Sequence, residues 1–310
     1  MKLTNSRKPL ISVVIRSYNE EWHIGTLLKK VFEQELNEHF EVIVVDSGSI
    51  DGTTDIINKF PIKLVKIKPE EFSFGYSLNK GIKASQGKYL IFISAHCYPE
   101  NKHWLKNITA PFEDKEIGLV YGKQRGNGLT KFSEHQIFYK MFPEESVERQ
   151  GVPFCKNANC AIRRSLWEKI PYDEDLTGLE DIDWAEKIIG KGFWISYCAD
   201  AGIIHVHDET WPKIFRRYER EAIALVNIFP GKRFTFFAFL RMFVFKTFSD
   251  YAQALKSGER LNDIWEIFMF RLMQSWGTYV GINRKGSVFS DLKRKFYYPS
   301  NGGGKVGRDG

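Results

Sequence analysis

VIVVDSGSIDGTTD, residues 42–55, holds four apolar residues that end in Asp46, followed by a Gly/Ser turn that Asp51 closes. An apolar run stopped by turn residues reads as a buried strand whose last side chain emerges at the carboxyl edge of a sheet. That edge is where open α/β sheets bind ligands. Asp51 and Thr53 are placed to cap a helix from about residue 52, while Gly48 and Gly52 allow backbone amides to approach a ligand closely. A carboxylate at position 46 accepts hydrogen bonds, so it suits the N–H edge of a nucleobase or a ribose hydroxyl better than a phosphate. Taken alone, an Asp that ends a strand and opens a turn is turn chemistry; its neighbourhood gives it more.

Upstream, ISVVIRSYNEE (residues 11–21) is a second apolar strand that runs into Ser17, Tyr18, Asn19 and Glu20 and then a helix with Ile24, Leu27, Leu28, Val31 and Phe32 on one face. Strands read at 11–15, 42–46, 62–67 and 89–93, with amphipathic helices near 21–34, 52–59 and 76–85 between them. This alternation predicts an α/β fold with a mostly parallel sheet and right-handed crossovers. After Pro99 the spacing predicts a helix near 102–112, a strand at 119–123, and a polar stretch over 126–150 of the kind that covers a site or moves. A short helix at 164–169 and a longer one at 181–190 follow, then strands at 194–198 and 203–206. Beyond Trp211 the chain turns helical and basic, and its last ten residues read as a disordered tail.

At 310 residues the chain can hold one large α/β domain, 1–225, plus a helical extension, 226–300. Hydrophobic content of 43% with 15% aromatics excludes disorder for most of it. No stretch approaches the roughly 18 apolar residues of a membrane span, and MKLTNSRKPL does not read as a signal peptide, so a cytoplasmic protein is expected. Cys97, Cys155, Cys160 and Cys198 lack the paired spacing of a zinc ribbon and read as reduced thiols. The net charge of +7 is uneven: from Pro212 onward 18 Lys/Arg face 8 Asp/Glu, leaving the first 211 residues at −3.

The two strand ends, with Gly178-Leu179-Glu180-Asp181-Ile182-Asp183-Trp184 much later, resemble the inverting family-two glycosyltransferases of GT-A fold. FSFGYSLNKGIKASQGKYLIFISAHCYPE (residues 72–100) is most similar to their rhamnosyltransferase-like branch. The resemblance covers residues 10 to about 225. It implies transfer of a sugar from a nucleotide-sugar donor to a glycan or lipid-linked saccharide, as in envelope polysaccharide assembly. By the same resemblance Ser17, Asn19, Glu20 and Asp46 line the nucleoside pocket, Asn79 and Lys80 touch the donor, Asp181 is the catalytic base and Glu180 orients it or an acceptor hydroxyl. A carboxylate at a helix N-terminus is expected to keep a low pKa and stay ionised. Asn157 and Asn159 are placed to meet a sugar or to make a turn.

The family carries Asp-x-Asp after its fourth strand, where carboxylates hold a divalent cation against the donor diphosphate. Here the triplet is Ser94-Ala95-His96, and both carboxylates are missing. Imidazole suits Mn²⁺ better than Mg²⁺, so His96 together with His207 is a candidate metal pair, with Ser94 and His96 facing the donor. His205 and His207, two apart on an extended segment, share a face. The other reading makes His96 an imidazolium that stabilises the diphosphate without metal. A non-catalytic nucleotide-sugar-binding or scaffold subunit is the alternative outside catalysis. A dinucleotide oxidoreductase fails because RSYNEE, not a Gly-rich turn, follows the first strand.

FTFFAFLRMFVFKTF (residues 234–248) packs seven phenylalanines into fifteen residues around Arg241 and Lys246. With Lys232 and Arg233 it suits shallow insertion at an anionic membrane surface. A homodimer interface, or a helical core with Trp265, Phe268, Phe270 and Trp276, is the other reading of these rings, and no nucleic-acid motif accompanies the basic charge.

Overall fold

The computed structural model describes residues 8–231, 234–258 and 262–284. The strands are β1 (Ile11–Ser17), β2 (Phe40–Asp46), β3 (Lys63–Lys66), β4 (Tyr89–Ser94), β5 (Cys97–Pro99), β6 (Ile117–Arg125), β7 (Val147–Gln150), β8 (Asn159–Arg163) and β9 (Trp194–His205). They form one sheet in the order β3-β2-β1-β4-β8-β6-β9-β5, with β7 also on β9. The strands β1 to β4 are parallel, β8 is antiparallel to β4 and β6, and β9 is parallel to β6.

Between them run α1 (Ile24–Phe32), α2 (Thr53–Ile57), α3 (Phe74–Lys83), α4 (Trp104–Thr109), α5 (Phe132–Met141), α6 (Arg164–Trp167) and α7 (Glu180–Ile189). Alternation along the strands sorts the core into two layers, since successive side chains point to opposite faces. Val13, Ile15 and Val44 pack with Ile24, Leu27 and Leu28 of α1 and Trp104 of α4. Val14, Ile43 and Val45 pack with Leu78 and Ile82 of α3 and Trp184 and Ile188 of α7. Gly81 sits where α3 presses on the sheet: a β-carbon there would collide with Val14 and Val45. Parallel strands buried on both faces explain why the first half reads as continuous apolar runs.

Two regions differ from the sequence reading. The strands expected at 194–198 and 203–206 are one twelve-residue strand, β9, whose register on β6 jumps between Gly122 and Gln124. The polar backbone of the bulge is satisfied by side chains, Asn107 Nδ2 donating to Asp200 O (2.9 Å) and Asn159 Nδ2 to Ala201 O (2.7 Å), so the strand continues across it. The polar stretch 126–150 contains α5 and β7.

The C-terminal helices are α8 (Trp211–Ile228), α9 (Phe236–Ser257) and α10 (Asn262–Asn283). The division expected at residue 225 therefore falls inside α8. The Thr235 hydroxyl caps α9 by accepting from Ala238 N. Gly277 and Gly281 let α10 approach α8 closely, because a β-carbon at either would strike the backbone oxygen of Phe215 or Glu219. Arg271 of α10 pairs with Asp250 of α9 (2.7 Å), and Ser133 of α5 donates to the same carboxylate. No described helix is long and apolar enough to cross a membrane. The tail expected over 301–310, with Lys232 and Arg233, lies outside the described residues.

Candidate functional site

Three groups of side chains meet at the carboxyl edge of the parallel strands. The first is the pair of loops that leave β1 and β2. Asp46 is 2% exposed, and its carboxylate accepts Gly48 N (3.1 Å), Ser49 N (3.0 Å) and the Ser49 hydroxyl. Gly48 takes φ +88°, a conformation open to glycine, which lets the chain turn around that carboxylate. The two loops are stitched: Ile50 N donates to Asn19 Oδ1, Glu20 N to Thr53 Oγ1 (2.7 Å), Glu21 N to Asp51 and Gly52 N to Glu21. Thr53 thus serves Glu20 rather than capping α2, and Asp51 alone receives the Thr53 amide. Asn19 sits at φ +53°, and the Ser17 hydroxyl is buried without a partner among the described residues.

The second group is the acid pair. Leu179, at φ +56°, turns the chain into α7 and brings Glu180 within 3.0 Å of Arg16, the penultimate residue of β1. A branched residue at positive φ costs of order 1–3 kcal/mol, and it persists here beside the buried carboxylates. Asn157 joins both acids, its backbone N–H donating to Asp181 Oδ2 (3.1 Å) and its amide to Glu180 Oε1 (3.2 Å). Asp181 does not keep the low pKa expected of a helix N-terminus. Burial raises it to about 6; Lys156 and the Asn157 and Ile182 amides pull it down, while the Glu180 charge beside it pushes further up. Desolvation outweighs the helix dipole here because the carboxyl is only 7% exposed. Lys156 in turn is raised: burial disfavours its charge, but Glu221 and Asp181 more than restore it.

The third group is a wall of imidazoles. His96 Nδ1 lies 2.8 Å from Glu20 Oε1, joining this wall to the β1 loop. The His96 ring stacks on His205 (centroids 5.1 Å) and stands 6.5 Å from His207, whereas His205 and His207 are 4.0 Å apart with their Nε2 atoms at 2.9 Å. His207 Nδ1 is also 3.2 Å from Glu134 of α5. Burial raises the Glu134 carboxyl, but Arg217, bonded through both guanidinium ends (2.9 and 2.6 Å), outweighs it and holds the group well below the carboxylate range. Burial, and then the neighbouring His207 and His96, drive His205 toward its neutral form.

Can these residues hold a divalent ion? Two Nε2 atoms 2.9 Å apart match neighbouring ligands about 2.0–2.1 Å from one ion, and the His205 Nδ1 contact to Gln124 (2.9 Å) is of the kind that orients a ligating imidazole. Glu134, His207 and Glu209 also converge, yet the Arg217 guanidinium already spans both acids, 2.6 and 2.8 Å away. The donor set therefore offers an ion the His205–His207 pair and not the expected His96–His207 pair: His96 is stacked on His205 with its Nδ1 on Glu20, and its ring stands 6.5 Å from that of His207.

Some expected residues lie elsewhere. Asn79 is fully committed inside the fold: it donates to Tyr172 O and Glu174 and accepts from Trp167 Nε1 and Tyr172 N, so no hydrogen-bonding capacity remains for a donor. Lys80 is exposed, with its ammonium over the Tyr76 ring (5.0 Å). Asn159 bridges Trp104, Lys123 and Ala201 inside the sheet instead of meeting a sugar. Ser94 ends β4 level with Arg16. Arg16, Lys156, Glu134 and Arg217 were not singled out from sequence. Arg16 carried a signal, a charge ending an apolar strand; Glu134 and Arg217 carried none short of their pairing. The Phe74 ring at the start of α3 has two guanidinium groups over it, that of Arg16 (4.7 Å) and that of Arg220 of α8 (4.8 Å).

Residues 12–170 match the profile described as glycosyl transferase family 2, which is just over half of the 310-residue chain. The chain is 27% identical over 227 residues to the O-antigen chain rhamnosyltransferase WbaN of Salmonella anatum, covering 68% of this chain and 70% of that protein. It is 28% identical over 204 residues to the glycosyltransferase AglE of Haloferax volcanii, covering 63% and 66%. Among solved structures, the mannosyltransferase PcManGT of Pyrobaculum calidifontis, in complex with GDP-Man and Mn²⁺, superposes with a TM-score of 0.63 at 17% identity, covering 91% of this chain and 89% of that one.

Proposed function

The chain belongs to glycosyl transferase family 2, and on that premise we propose that it is an inverting transferase that moves a sugar from a nucleotide donor to a saccharide acceptor, free or lipid-linked, in polysaccharide assembly. The observation that carries this reading is the buried Glu180–Asp181 pair, one carboxylate neutralised by Arg16 and the other, Asp181, held at about pKa 6, at the edge where the β1 and β2 loops open. A general base works best with a pKa near the operating pH, since it must be ionised and still able to take a proton.

In the proposed step the acceptor hydroxyl gives its proton to Asp181, and its oxygen bonds to the anomeric carbon. The bond from that carbon to the diphosphate oxygen breaks on the opposite face, and the nucleoside diphosphate leaves with the electron pair. One displacement inverts the anomeric centre. Glu180, tied to Arg16 and Asn157, fixes the start of α7 and so the direction of Asp181. Ser17, Asn19, Glu20 and Asp46 shape the nucleoside pocket, Asp46 by holding its turn. His205 and His207 would hold a divalent ion, with His96 beside them on Glu20, and the ion when bound would neutralise the leaving diphosphate. The imidazole donors favour Mn²⁺ over Mg²⁺.

A thermal-shift panel of nucleoside diphosphates with Mn²⁺, Mg²⁺ or chelator tests donor and metal together, because a ligand of the native state raises its apparent stability. One nucleotide should stabilise the chain more in Mn²⁺ than in Mg²⁺, and His207→Ala should remove the Mn²⁺ increment. Stabilisation indifferent to chelator would discard the metal and leave His96 as the candidate cation. No stabilisation by any nucleotide would sink the transferase reading.

A further inference from the structure

The helix α9 lies outermost in the C-terminal hairpin. Its inner side is spoken for: Phe239 packs on Trp276 and Tyr279 of α10, Phe243 on Phe268, and Asp250 is locked to Arg271. Its outer side is apolar and open. Phe237 (78% exposed), Leu240, Val244, Phe245 (73%), Phe248 and Leu255 (82%) all face solvent. At about 100° per residue these six fall on one arc roughly 140° wide, extending ~27 Å along the axis from 237 to 255. The full helix hides this stripe in a sequence reading, because it is apolar on the inner side as well.

The charges identify what covers the stripe. Arg241 lies within the arc and Lys256 at its border, both exposed. The acids described on α9 and α10 are turned away: Asp250 is buried against Arg271, and Glu266 accepts from Phe132 N and faces Lys131. A second copy laid on this face would bring basic side chains against basic ones, whereas a surface of anionic headgroups above acyl chains complements both components. Long basic side chains reach such headgroups while the rings beside them enter the acyl boundary.

We infer that the outer face of α9 is a membrane-docking surface that lies in the plane of an anionic bilayer, with Phe237, Phe245, Phe248 and Leu255 inserted and Arg241 and Lys256 at the headgroups. Its position ties it to the chemistry, because α10 packs on α8 and α8 carries Arg217 and Arg220 to the catalytic edge. The surface itself stands independently of which sugar is transferred.

The test is cosedimentation of the full chain with vesicles of phosphatidylglycerol and phosphatidylcholine, against phosphatidylcholine alone, at low and high salt. Binding should require the anionic lipid and fall with salt. Phe245→Glu with Phe248→Glu should lower the partition coefficient by at least about tenfold, with an unchanged melting temperature. Arg241→Gln with Lys256→Gln, which keeps every ring, should lower it roughly fivefold per charge; this variant decides the matter if the first does not fold. No binding to anionic vesicles, or equal binding by the charge variant, overturns the proposal. So does a wild-type dimer in sedimentation equilibrium that the Phe245/Phe248 variant abolishes, which would give the face to a second copy.

Discussion

Asp46 and Asp181 are both buried carboxylates at one sheet edge, and their surroundings give them opposite characters. Asp46 receives three donors from its own turn and is spent on holding Gly48 and Ser49. Asp181 receives two backbone amides, has Glu180 beside it, and is raised to about 6. Burial alone does not make a carboxylate reactive. What distinguishes the two is the company each keeps: three fixed donors from one turn surround Asp46, whereas Asp181 is deeply buried with a like charge beside it that works against Lys156.

The comparison breaks most visibly at Asp181. Asp181→Asn preserves shape but cannot accept a proton, so transfer should fall on the order of 10²- to 10⁴-fold while donor affinity stays within about twofold, read by steady-state kinetics and calorimetry. Near wild-type transfer would move the base elsewhere. Asp46→Ala should do the reverse: it frees Gly48 N and Ser49 N from their acceptor and loosens the turn, so nucleotide affinity should drop by about tenfold, with a smaller effect on turnover at saturation. Unchanged affinity in a folded variant would remove Asp46 from the nucleoside pocket.

The finest test concerns the pH limb. As the proposed base, Asp181 has to be ionised, so kcat/KM should rise with pH through a midpoint near 6 and level off above it. Arg16→Gln leaves the Glu180 charge without its partner, and a less neutralised Glu180 further disfavours the Asp181 anion. The midpoint should therefore move up, and activity at pH 6 should suffer more than at pH 8. A midpoint that stays put would mean that Arg16 shapes the site without setting its electrostatics.

The legible part of the molecule is the part whose burial is apolar. The strands β1, β2 and β4 and the helices α1 and α3 lie close to where their hydrophobic periods put them, because Val13, Val14, Leu27 and Ile82 answer to one layer each. The helix α5 escaped because the face it buries carries Ser133 and Glu134 beside Phe138, and those polar residues are tolerable only against Asp250 and Arg217, far away in sequence. The same reason hid Asn79, whose four hydrogen bonds go to three residues, Trp167, Tyr172 and Glu174. The bulge in β9 read as a break because Asp200 and Gly202 are poor strand formers, and the asparagines that mend it belong to α4 and β8. The sign of the shift at Asp181 escapes a sequence reading because helix position is local and desolvation is not.

Phe74, which meets both Arg16 and Arg220, has a bearing on how such chains can be recombined. One guanidinium belongs to the first strand of the sheet and the other to the helix on which the C-terminal hairpin is mounted. The C-terminal helices are therefore not a detachable cassette. A chimera that grafts α8 to α10 from a relative onto this sheet must bring a cation that suits Phe74, or else retune the ring that also supports Arg16 and, through it, Glu180. Lineages that exchange these helices should thus change residues 16, 74 and 220 together, and engineers who graft them have to treat those three positions as a single unit of inheritance.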